Sequence, residues 1–115
     1  MKELEELFSL LEEGTSPYQV VSHTEDYLKK AGFFGLSFGE PWNLALGEKY
    51  YVNHHGSTIF AFTMPERAEQ MEDIRIAAAH TDFPCLRIKP NPDVKNASYA
   101  GVNVEVYGGA ILNTW

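Results

Sequence analysis

Residues 74–79 read IRIAAA, a short apolar run that ends at His80 and is followed by Thr81 and Asp82. A run of this length and composition is expected as a strand buried on both faces of a sheet. That requirement points to an α/β arrangement, with helices available to cover the sheet. The preceding sequence supplies them. Leu4, Leu7, Phe8 and Leu11 recur at helical spacing and predict a helix over residues 3–13, ending near Gly14. Its glutamates read as a solvated face. A second helix is predicted over residues 17–31, with Ser16 as N-cap, Pro17 at the first helical position, Gln19 three residues after the cap and Gly32 past Lys29 and Lys30. His23 lies within it, as a surface or half-buried residue.

Strand-like runs begin at KYYVN and continue in STIFAFTM. Joined through His54, His55 and Gly56, they predict a hairpin over residues 48–64. His54 and His55 are adjacent, so in an extended strand they point to opposite faces, and two further ligands would be needed to hold a metal. A solvated turn explains them equally well. No internal repeat interrupts this order, and 115 residues at 44% hydrophobic composition suit one ordinary domain.

Charge and cysteine content exclude several classes. A net charge of −7 opposes general nucleic-acid binding, which needs Lys and Arg to neutralise phosphates. The N-terminus has no apolar leader, and no apolar stretch approaches the roughly 18 residues of a membrane span. The expectation is a cytoplasmic protein with no membrane partner. Cys85, the single cysteine, can form neither an internal disulfide nor a Cys-based structural zinc site. Placed between Pro84 and Leu86, it reads as a small apolar filler.

A strand ending at His80 would bring its imidazole to the edge of the sheet where α/β folds place ligands, and continued extension would put Asp82 on the same side. An imidazole that ligates zinc commonly donates its other ring N–H to a carboxylate. The spacing alone leaves two readings open, a metal ligand with its orienting acid or a satisfied polar strand end.

Wider wording bears on that choice. HTDFPCLRIKPN resembles the His-Thr-Asp-Ser-Pro segment of the aspartyl aminopeptidase family, whose members are dinuclear zinc aminopeptidases. SPYQVV, STIFAF and the terminal VEVYGGAILNTW are similar to further stretches of that family in the same order. By this resemblance, His80 is the metal ligand and Asp82 the catalytic-site aspartate that orients it, while Phe83 stands where the family has serine. The implied fold is the N-terminal part of a zinc-peptidase-like mixed sheet flanked by helices, residues 1–92, running into the start of an inserted dimerisation and substrate-binding domain, residues 93–115. The implied intact enzyme is a homo-oligomer that uses two zinc ions to remove N-terminal, often acidic, residues from a peptide substrate.

The family's remaining ligands and its catalytic glutamate correspond to positions after Trp115. A catalytic zinc needs about three protein ligands. The expectation is therefore an N-terminal fragment, inactive alone. The alternative from another class is a standalone, non-catalytic binding or assembly module.

Overall fold

The computed structural model describes residues 2–71, 74–109 and 113. These fall into two compact units, residues 1–81 and 82–115. The first begins with α1 (Lys2–Glu13) and α2 (Pro17–Lys30), followed by strands β1 (Phe34–Leu36), β2 (Lys49–His54) and β3 (Thr58–Thr63). The second is a ribbon of β4 (Cys85–Asn96) and β5 (Tyr99–Tyr107).

Helix α2 starts where its cap predicts. The Ser16 hydroxyl accepts from the Gln19 backbone N–H at 3.3 Å, and Pro17, which lacks an N–H, occupies the first turn, where none is needed. Its end is set by Gly32 at φ +83°, a backbone conformation that glycine adopts without a Cβ clash. His23 is half-buried, its Nδ1 3.1 Å from a Glu13 carboxylate oxygen.

β1 runs parallel to β2, and β2 antiparallel to β3, in the order β1-β2-β3. The sheet is thus mixed, with α2 packed on one face. At the β2–β3 turn, His55 and Gly56 both have positive φ, 56° and 71°, and the Asn53 side-chain oxygen accepts from the Gly56 N–H at 2.9 Å. Histidine is among the few non-glycine residues enriched in this region, so the turn itself accounts for His55.

Among the described residues, the fully buried side chains are Val21 from α2 and Val52 from β2, with Tyr50 and Tyr51 nearly so. Tyr51 and Asn53, two apart on β2, point toward α2, where both meet Glu25. The Tyr51 hydroxyl donates to one carboxylate oxygen at 3.1 Å, and the Asn53 amide donates to the other at 2.7 Å. Lys29 closes the cluster at 2.8 Å. Gly35 on β1 makes room for it, since a Cβ there would lie 2.9 Å from the Tyr51 hydroxyl oxygen. On the opposite face, Tyr50 and Phe62 pair across the strands with ring centroids 5.6 Å apart, and Trp42 stacks on Phe62 at 6.2 Å.

The expected buried strand at residues 74–80 is not found. These residues form neither helix nor strand, and Ile74 and Ile76 are each 83% exposed. β3 is the outer strand of its sheet, and neither sheet among the described residues takes in residues 74–80. An apolar run cannot cover itself: burial on both faces requires a ladder partner and a packed layer on each side.

In the ribbon, the register is regular from Cys85↔Tyr107 to Ile88↔Val104 and again from Asp93↔Val102 to Asn96↔Tyr99, with an irregularity between. Pro90 and Pro92 fall in that interval and contribute no backbone N–H to the ladder.

The Glu25 cluster generates a prediction. Its carboxyl is held below the usual range first by the Lys29 bond and then by Asn53. The stabilisation is therefore complete above the ordinary carboxyl pKa of 4.5 and fades as pH falls through the lower folded-state value. Glu25→Ala should cost about 1–3 kcal/mol in urea unfolding at pH 7. The gap from wild type should narrow at pH 3. A gap that stays constant with pH would show that the charge contributes nothing.

Candidate metal centre

His80 closes the exposed segment that starts at Ile74, and its side chain is exposed. The next residue fixes the end of that segment. Thr81 Oγ1 donates to the Ser57 carbonyl at 3.0 Å, tying the chain to the β2–β3 turn. His80 is thus delivered by an anchored segment, not by the strand that the apolar run predicted.

Asp82 is half-buried at the start of the second unit. Its Oδ2 accepts from the Tyr107 hydroxyl at 2.7 Å, and Tyr107 pairs with Cys85 at the base of the ribbon. That bond, followed by the charge of the carboxylate, pushes the Tyr107 phenol above its ordinary pKa of 10.0. The Arg87 guanidinium lies 3.5 Å from the centroid of the Tyr107 ring, in cation–π range. Behind it, Gly108 has φ +79°, and a Cβ there would meet Pro84 at 3.2 Å. The Tyr107–Gly108 step thus lets the end of β5 close onto the segment carrying Asp82. Tyr107 was not foreseen as a partner of Asp82. Its signal lay in the Tyr-Gly-Gly wording, but the contact spans 25 positions.

Cys85 is half-buried and a free thiol. Phe83 is 39% exposed. His54 and His55 remain with the turn, their ring centroids 4.0 Å apart, and the Phe38 ring meets His54 edge-on at 5.1 Å. An open cleft of about 460 Å³ lies beside them, lined by Glu25, Leu36, Phe38, Tyr51 and Asn53 among others. Neither His80 nor Asp82 lines it.

Among the described residues, no group of three or more His, Cys, Asp or Glu side chains is arranged to hold a metal ion. The donor chemistry fits zinc only in part. His80 offers an imidazole and Asp82 a carboxylate, short of the about three ligands that a catalytic zinc site requires. No helix among the described residues is long and apolar enough to cross a membrane.

Comparison with known proteins agrees with the wording around His80. The chain is 40% identical over 111 residues to the "Probable M18 family aminopeptidase 2" of Clostridium novyi (strain NT), a match covering 96% of this chain and 26% of that protein. The protein of the same name from Ectopseudomonas mendocina (strain ymp) is 38% identical over 109 residues, covering 95% and 25%. Among solved structures, a chain in the "Cryo-EM structure of the Ape4 and Nbr1 complex" superimposes with a TM-score of 0.84 at 32% identity, covering 93% of this chain and 21% of that one. Aminopeptidase I from Borrelia burgdorferi B31 shares the fold, with a TM-score of 0.74 at 20% identity, covering 99% and 29%. The chain spans about a quarter of the length of the curated relatives it matches. Residues 10–115 match the family described as "Aminopeptidase I zinc metalloprotease (M18)", and the chain belongs to that family.

Proposed function

We propose that this chain acts as the N-terminal part of a zinc aminopeptidase, with His80 as a metal ligand and Asp82 as the acid that orients its imidazole. The observation that carries the reading is the family match, which runs from residue 10 to residue 115 and so includes both residues. The substrate is a peptide, and the residue removed is the N-terminal one, with acidic side chains preferred. Residues 1–92 belong to the catalytic domain and residues 93–115 begin the inserted domain through which the intact enzyme forms homo-oligomers. The setting is cytoplasmic.

Two zinc ions, when bound, supply a water of lowered pKa and polarise the scissile carbonyl. The work of this chain's residues is positioning. His80 contributes a neutral ring nitrogen, and Asp82 accepts from the other ring nitrogen, fixing the tautomer and raising the basicity of the ligating one. Tyr107 supports this arrangement by holding the Asp82 carboxylate at 2.7 Å. A carboxylate accepts several hydrogen bonds, so the tyrosine bond leaves capacity for an imidazole donor.

Two experiments test this. Without a full ligand set and a general base, the isolated chain with added zinc should not hydrolyse an aspartyl or glutamyl anilide above background. Chelator-sensitive turnover by the purified chain would contradict that. For the site residues, the chain replaces the matched quarter of the Clostridium novyi relative in a chimaera. There, His80→Ala should abolish most zinc at its position, whereas Asp82→Asn should retain a ligand and cost about 10–100-fold in affinity or activity. Unchanged zinc content and activity in His80→Ala would return the pair to a polar segment end.

A further inference from the structure

α1 is amphipathic, and the side that carries Glu6, Leu10 and Glu13 is the one that is covered or contacts α2. Along this helix Glu6 and Leu10 are half-buried, and the other residues are exposed. Tyr27 of α2 lies beside the Glu6 carboxylate, and Glu13 contacts His23 at 3.1 Å. Gly14 is buried where a Cβ would meet the Leu10 carbonyl at 2.9 Å and Val20 at 3.0 Å, so the turn brings the two helices together at that end. The consequence is an outward apolar stripe: Leu4, Leu7, Phe8 and Leu11 are 53%, 48%, 54% and 65% exposed. At 100° per residue these four lie within one narrow sector, flanked by Glu5 and Glu12 on one side and Glu3 on the other. With its other side turned to α2, the helix has this apolar stripe left over for something else to cover.

We propose that this stripe docks into an apolar groove with a Lys- and Arg-rich rim on the polypeptide that, in the M18 relatives, makes up the other three quarters of the protein. The proposal rests on the reading above that the chain works within a longer aminopeptidase. Two observations select this occupant. The relatives carry about three times as much additional chain as the matched part, enough to bury a helix face. The helix residues 2–13 hold five glutamates against Lys2, so a basic rim complements them. The same charge disfavours the other occupants. A second copy would set Glu3, Glu5 and Glu12 against their equivalents, and an anionic lipid surface would repel them.

The test is thiol accessibility in a Cys85→Ser background, in the isolated chain and in the chimaera with the Clostridium novyi relative. Leu11→Cys should react with a maleimide at least about tenfold more slowly in the chimaera. Ser9→Cys, on the opposite side of the helix, should react equally in both. Glu5→Lys with Glu12→Lys should restore most of the Leu11→Cys reactivity. Equal Leu11→Cys rates in the two proteins, a chimaera that fails to assemble, or protection of the isolated chain that grows with its own concentration would overturn the proposal. Insensitivity to the charge reversals would overturn the basic rim. Zinc content is read on the same samples: a protected stripe without zinc leaves this inference standing and removes the metal reading, and zinc with an accessible stripe does the reverse.

Discussion

The carboxylate of Glu25 joins helix to sheet. It takes a phenol and an amide from β2 and a lysine from its own helix, so a single side chain fixes both the rotation of α2 and its height above the strands. Among the described residues of the first unit only Val21 and Val52 are fully buried, so this polar anchor adds to a small apolar contact between helix and sheet. The consequence reaches the site. The turn that follows Asn53 is held by the same residue's side-chain oxygen, and that turn supplies the Ser57 carbonyl that receives Thr81, next to His80.

What the sequence made legible follows from where its signals lie. Ser16, Pro17 and Gly32 are local signals, and the helix between them begins and ends where they predict. The β2–β3 hairpin was equally local, carried by two alternating runs around His55-Gly56. β1 went unread because Phe34–Leu36 is too short to show a period and becomes a strand only by pairing with β2. The β4–β5 ribbon was hidden by Pro90 and Pro92, which break the pattern of a strand and are accommodated at an irregularity of the ladder. IRIAAA misled for the opposite reason. An apolar run records what a segment is able to bury, whereas burial itself depends on partners, and neither sheet among the described residues takes it in.

The site divides in the same way. His80 and Asp82 are two positions apart and were read from spacing and wording. Tyr107, which holds Asp82, was not, because a hydrogen bond across 25 positions exists only once the ribbon has closed. The clamp at the ribbon's base, with Arg87 over the tyrosine ring and Gly108 against Pro84, gives the aspartate a defined place before any metal is considered.

The most direct test of the zinc reading is anomalous diffraction at the zinc edge from crystals of the chimaera between this chain and the Clostridium novyi relative. The account predicts a zinc ion about 2.0–2.1 Å from a ring nitrogen of His80, the usual zinc–imidazole distance. An ordered, fully occupied zinc whose coordination sphere excludes His80 would contradict it.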